Sequence, residues 1–128
     1  MKAKYHVVIV GSGIGGISAA VTLAGHGLDI LMIDENIQPG GQLLRRSEKT
    51  VKNFFKFTPD SMKTRGFSLM ERIHDTNSEI DRIHQAQVLG VFKDRRLLVH
   101  AETKQDSIDK KNRQLFEVQA EHLIFATG

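Results

Sequence analysis

The sequence predicts an α/β fold: a parallel βαβ unit that opens on a glycine-rich turn, then a three-stranded antiparallel meander. Three observations carry this. The apolar run Val7-Val8-Ile9-Val10 breaks directly into Gly11-Ser12-Gly13-Ile14-Gly15-Gly16. Ile17, Ala20, Val21 and Ala24 then recur at helical spacing, and a second apolar run, Leu28 to Ile33, ends on Asp34-Glu35. Further on, three β-rich segments follow one another between short polar turns. The first 35 residues therefore spell a strand, a turn, a helix and a strand, the opening of a Rossmann-like sheet with the usual right-handed crossover.

Taken in order, Tyr5–Val10 is apolar without alternation, as expected of a strand buried on both faces. The helix face after the glycines consists of small or branched apolar residues that allow close approach to a sheet. Gly25-His26-Gly27 ends it, glycine being the usual residue past a helix end. The Pro39-Gly40-Gly41-Gln42 stretch reads as a loop. Residues from about Leu43 to Thr58 are basic and irregular, and Phe54, Phe55 and Phe57 are expected to pin them to the core or to cover a surface that another part of the protein should occupy. A helix is expected from about Asp60 to Asp75, with Met62, Gly66, Leu69, Met70 and Ile73 on one face. Glu79–Ile83 reads as a third short parallel strand. Ala86–Phe92, Arg95–Ala101 and Gln114–Ala120 read as the meander, an insertion over about 86–120. Lys93-Asp94 makes its first turn, and the tip from Lys104 to Arg113 is polar. Leu123–Ala126 reads as a final buried strand. The chain thus forms one domain over 1–128, which on this reading stops at the tip of a central strand, as an incomplete domain or a subunit completed by another chain would.

Composition narrows the chemistry. The 128 residues contain no Cys, which excludes Cys nucleophiles, Cys-ligated zinc and any CxxC relay. The six histidines are scattered without metal-ligand spacing, so no metal site is expected. Neither a Walker lysine nor a G-x-S-x-G is present. Net charge is +3. Arg45, Arg46, Lys49, Lys52, Lys56, Lys63 and Arg65 cluster, but no nucleic-acid reading motif accompanies them. The apolar runs are far below membrane-spanning length, and no signal peptide fits before the glycine turn. A cytoplasmic protein without nucleic-acid or membrane partners is expected.

In Gly11-x-Gly13-x-x-Gly16 each glycine has a mechanical task. Gly11 permits the tight turn, Gly13 lets the backbone approach a pyrophosphate, and Gly16 permits close helix–strand packing. The helix N-terminus offers N–H groups and about half a positive charge to phosphates. Asp34 stands 23 positions after Gly11, where a carboxylate accepts hydrogen bonds from adenosine ribose hydroxyls and repels a 2′-phosphate. Glu35 is the alternate candidate. Together these residues define a dinucleotide site.

The set Val-Ile-Val-Gly-Ser-Gly-Ile-Gly-Gly, Ile33-Asp34, Gly40-Gly41-Gln42-Leu43 and Ile124-Phe125-Ala126-Thr127-Gly128 resembles the FAD-binding part of flavoproteins with two dinucleotide-binding domains, the pyridine nucleotide–disulfide oxidoreductases. Within them, Asp34-Glu35 followed by Pro39-Gly40-Gly41-Gln42 most resembles amine and amino-acid oxidoreductases such as opine oxidase, hydrogen cyanide synthase and sarcosine oxidase large subunits. The stretch Gly90-Val91-Phe92-Lys93-Asp94-Arg95-Arg96 fits that subgroup more loosely. The resemblance implies that Gly11, Ser12, Gly13, Ile14, Gly15 and Gly16 lie along the FAD pyrophosphate and that Asp34 holds the ribose. Gly41 and Gln42 would approach the pyrophosphate and ribityl chain, Val88 would meet adenine through its backbone, and Ala126, Thr127 and Gly128 would close the site. It implies hydride transfer from a small amine or amino-acid substrate to the flavin.

The departures from that family are equally specific. No CxxC is present, and neither an NAD(P)-binding domain nor the later segment that holds the ribityl chain is included in these residues. Any NAD(P) site therefore lies outside them, and FAD is expected to bind weakly or not at all. Apolar surface left for a missing domain, a partner subunit or another copy favours self-association. No catalytic residue can be picked, since the cofactor carries the hydride chemistry. An NAD-binding Rossmann domain and a non-catalytic nucleotide-binding or assembly module are the competing readings.

Overall fold

The computed structural model describes residues 1–40, 68–69, 71–73, 75, 79–104 and 111–128. Within these, the elements are β1 (Lys4–Val10), α1 (Ile14–Leu23), β2 (Ile30–Ile33), β3 (Ile80–Ile83), β4 (Ala86–Val91), β5 (Arg96–Lys104) and β6 (Lys111–Phe125). One six-stranded sheet has the order β3-β2-β1-β6-β5-β4. Its first half is parallel: β1 pairs with β2 in register Val7↔Ile30 to Val10↔Ile33, and β2 pairs with β3. Its second half is the antiparallel meander β4-β5-β6. The expected Rossmann-like α/β fold with a meander is present.

The unbroken apolarity of the first strands has the expected consequence. All four residues of β2 are buried. Ile30 and Met32 face the helix side with Val7, Ile9, Ile17, Ala20 and Val21, while Leu31 and Ile33 face the other side. There they meet Leu97, Val99, Val118 and Ala120 of the meander, together with Tyr5 and Val8. The domain therefore has three layers, with the parallel sheet between α1 and the folded-over meander. Each fully buried branched side chain contributes about 1.5–3 kcal/mol of transfer free energy. These two clusters fix the strand ends from which the site is built.

β6 departs from the sequence reading. The expected third meander strand and the expected final strand are one 15-residue strand. Its first part pairs antiparallel with β5, from Lys104↔Lys111 to Arg96↔Gln119. Its last part pairs parallel with β1, from Lys4↔Gln119 to Val10↔Phe125. Glu121-His122 looked like a break in the sequence. In the structure these residues simply continue the ladder after β5 has ended. Leu123 and Ile124 are only half-buried and Phe125 is 59% exposed, so the expected full burial of this run does not occur. The reason is that β5 covers β6 only as far as Gln119.

Other boundaries shift for local reasons. β2 begins at Ile30 rather than Leu28, because the Asp29 backbone is used elsewhere. Its carbonyl accepts from the N–H groups of His6 and Val7, and its own N–H donates to His6 Nδ1 at 2.9 Å. α1 ends at Leu23 with Ala24 as its extended cap, and Gly25 and Gly27 follow at φ +80° and +71°. The meander tip is paired as far as Lys104↔Lys111, so part of the expected polar tip is strand. Of the helix expected over 60–75, residues 68, 69, 71–73 and 75 are helical, and Leu69 and Ile73 pack on the α1 side. Met62, Gly66 and Met70, the basic cluster and the three phenylalanines lie outside the described residues. No helix among those described is long and apolar enough to cross a membrane.

Candidate functional site

The site forms where the carboxyl ends of β2, β1 and β6 lie side by side, the position at which open α/β sheets bind ligands. Two backbone bonds tie these ends together. Gly11 N–H donates to Ile33 O and Ala126 N–H donates to Val10 O, both at 2.8 Å. The approach is too close for a side chain at Gly11. Its φ is +104°, and a Cβ there would stand 2.3 Å from Ala126 O. Gly16 is held against the turn from the helix side, where a Cβ would fall 1.8 Å from Gly11 O. Both glycines therefore do what the motif requires of them. Gly13, by contrast, is the N-cap of α1 in extended conformation and bears no capping side chain. The first intrahelical bond is Ile17 N–H to Gly13 O. The N–H groups of Ile14, Gly15 and Gly16 precede it, at the positively polarised end of the helix.

Asp34 follows β2 and is only 7% exposed. Its Oδ2 accepts the Ser12 N–H at 2.5 Å, and its Oδ1 accepts both the N–H and the Nδ2 of Asn36, at 2.7 and 2.8 Å. Burial pushes this carboxyl up, but the donors from Ser12 and Asn36 outweigh it and hold it below its ordinary value. Asp34 is thus an ion at neutral pH. Ser12 is fully buried under the turn. Its hydroxyl makes no hydrogen bond of good geometry, yet it lies close enough to help lower the carboxyl, and a hydroxyl rotor can turn its proton towards it.

The segment carrying Asp34 is clamped by the corner between β3 and β4. Asp34 N–H donates to Ile83 O, Ala86 N–H donates to Asp34 O, and Gln85 N–H donates to Asn36 O. Gln85 adopts φ +53° to do so, a left-handed conformation rarely used by a side-chain-bearing residue. Near this corner, burial and then the Arg82 charge hold His84 below its usual range, against the opposing pull of Asp34. Gly40, at φ +120°, donates its N–H to Ser12 O at 2.7 Å. The start of the second glycine pair is therefore fastened to the first glycine turn.

These elements enclose an open cleft of about 800 Å³. Its floor is Gly11, Gly13, Ile14 and Gly15, one wall is Asp34 and Glu35, and Ala126, Thr127 and Gly128 form another. Val88 closes it from β4, beside a bulge that leaves Leu89 unpaired with β5, 57% exposed and also on the cleft. Ser12 and Gly16 lie beneath the surface rather than on it. Gly41 and Gln42 lie outside the described residues. The sequence reading missed Asn36, Gln85 and Leu89. For Asn36 a signal existed, since an Asp two residues before a backbone N–H is the pattern of an Asx-turn. For Gln85 and the bulge at Leu89 nothing in the sequence marks the geometry.

The sequence pattern of the family described as pyridine nucleotide-disulphide oxidoreductase matches residues 5–128. All-trans-zeta-carotene desaturase of Myxococcus xanthus is 27% identical over 61% of this chain and 20% of its own. L-amino-acid oxidase of Daboia russelii is 43% identical over a shorter stretch, 37% of this chain and 9% of its own. Among solved structures, L-proline dehydrogenase from P. horikoshii superposes with a TM-score of 0.62 at 25% identity, covering 98% of this chain and 22% of that one. The chain thus spans about a fifth of the length of the first two full-length proteins named here that it matches most broadly.

Proposed function

This chain belongs to the pyridine nucleotide-disulphide oxidoreductase family, and from that premise we propose that it is the FAD-binding portion of an oxidoreductase. FAD, when bound, would supply the hydride acceptor. The residues here bind and orient its adenosine diphosphate half. The uncapped N–H groups at the start of α1 receive the diphosphate, with Gly13 and Gly15 leaving room for it. Asp34 accepts from a ribose hydroxyl, and its negative charge turns away a 2′-phosphate. The Val88 backbone meets the adenine edge. Ala126, Thr127 and Gly128 keep the third side small, and Gly41-Gln42 extend the site towards the ribityl chain. Glu35, which is exposed, serves as a secondary polar contact at the rim. A small amine or amino-acid substrate is the reading supported by the likeness to L-proline dehydrogenase and L-amino-acid oxidase. The reaction would be completed by parts of the protein beyond the residues described, whether of this chain or a partner subunit.

The observation that carries the proposal is the meeting of the glycine turn, an ionised Asp34 and the Ala-Thr-Gly segment after β6 on one cleft. Calorimetric titration of the full chain with FAD, ADP and NADPH tests it. FAD and ADP are expected to compete for one site and NADPH to bind at least tenfold more weakly. Preference for NADPH, or no interaction with ADP at millimolar concentration, would sink it.

A further inference from the structure

Asp34 has more hydrogen-bonding partners than a ribose acceptor needs. A carboxylate offers about four acceptor positions. Three are occupied from within the protein by hydrogen bonds of good geometry, Oδ2 by the Ser12 N–H and Oδ1 by the N–H and Nδ2 of Asn36; the nearby Ser12 hydroxyl makes none, and its rotor leaves the fourth position to a ligand hydroxyl. Asn36 is itself fixed from behind, because its carbonyl accepts the Gln85 N–H at 3.1 Å. Only its side-chain torsions are left to set, and the two bonds to Oδ1 set them. The amide has one workable orientation, since its oxygen turned towards Oδ1 would set two acceptors against each other.

We propose that Asn36 is a positioning residue for nucleotide binding, locking the Asp34 carboxylate so that Oδ2 presents its one remaining acceptor site to a single ribose hydroxyl. This rests on the reading of the cleft as a nucleotide site. The lock has two effects. It holds the plane of the carboxylate before the ligand arrives, so that no torsional freedom is lost on binding. It also saturates Oδ1, so Asp34 recognises one hydroxyl rather than bridging a diol.

The test uses the full chain, with ADP and 2′,3′-dideoxy-ADP as probes, measured on the wild type, Asn36→Ala and Asn36→Asp. Loss of one positioning hydrogen bond is expected to weaken ADP about three- to tenfold in Asn36→Ala. Asn36→Asp is nearly isosteric but sets a second carboxylate against Oδ1, and is expected to weaken ADP further. Dideoxy-ADP, which has no hydroxyl for Asp34, is expected to bind the wild type and Asn36→Ala alike. Thermal melts monitor folding, and Asn36→Ser, which keeps a donor, replaces the alanine variant if that does not fold, with a loss of about twofold expected.

If the alanine variant binds ADP as tightly as the wild type, the positioning role is wrong while the nucleotide site stands. If ADP and dideoxy-ADP weaken equally, Asn36 merely holds the loop, and the inference is again overturned. If the wild type binds neither nucleotide, the reading of the cleft itself fails and takes this inference with it.

Discussion

Replacing Gly11 by alanine adds one carbon, and the structure allows its effect to be separated into two parts. The first is backbone strain. At φ +104° an L-residue is disfavoured, and such strain costs about 1–3 kcal/mol. The second is overlap. The new Cβ would stand 2.3 Å from Ala126 O and 2.7 Å from Ala126 C. Both are backbone atoms held by the Ala126 N–H to Val10 O bond, so neither can swing aside. Overpacking of this kind typically costs about 1–3 kcal/mol more. The total is about 2–6 kcal/mol, a large share of the 5–15 kcal/mol typical of a domain. Two other glycines supply the controls. Gly25 has φ +80° but nothing within 4 Å of its notional Cβ, so Gly25→Ala carries the strain alone. Gly90 has open space and no positive φ, so Gly90→Ala carries neither and is expected to lie within about 1 kcal/mol of the wild type. Urea denaturation of the four proteins should give the order wild type ≈ Gly90→Ala, then Gly25→Ala, then Gly11→Ala. A Gly11→Ala variant no less stable than Gly25→Ala would refute the claim that β6 presses on the glycine turn.

Two further outcomes follow from the titrating groups. Asp34 has its carboxyl lowered below 3.8 in the folded state, so the stability it contributes is present above that pH and is lost as pH falls through the lower folded value. Asp34→Asn is therefore expected to be about 1.5–3 kcal/mol less stable at pH 7, and its melting curve should approach that of the wild type in acid; a gap independent of pH would contradict an ionised Asp34. Tyr5 is the one tyrosine and there is no tryptophan, so tyrosinate absorbance reports it alone. Burial, and then its hydrogen bond to Asp81, push its hydroxyl up from 10.0 to about 12. Its contribution to stability is present below pH 10 and lost as pH rises through about 12, and a titration midpoint near 10 in the folded protein would contradict both the burial of Tyr5 and its bond to Asp81.

What the sequence made legible was local. The βαβ unit is contiguous, its apolar runs are unbroken, and the demands on Gly11 and Gly16 follow from their place between strand and helix. The candidate cleft was legible through Asp34 for the same reason, and through the closing Ala-Thr-Gly by the family resemblance. What escaped depends on contacts between distant parts of the chain. β6 joins the parallel and antiparallel halves of the sheet because Gln119 pairs with both Arg96 and Lys4, and no periodicity within residues 111–125 records that change of partner. Phe125 reads as core, yet it is exposed because β5 ends before reaching it. Asn36 reads as an ordinary loop residue until the Asp34 carboxylate is placed beside it. Gln85 takes its left-handed conformation only because the corner between β3 and β4 must reach the Asn36 carbonyl.

The proposed function requires this cleft to bind the adenosine diphosphate part of FAD. Amide NMR spectra of the full chain, recorded as ADP is added, test it most directly, because they locate even weak binding. Saturable shifts are expected at Gly13–Gly16, at Asp34–Asn36, at Val88 and at Ala126–Gly128, with the Tyr5, Gly25 and Asp81 end of the sheet unmoved. Shifts confined to that opposite end, or none at millimolar ADP, would contradict it.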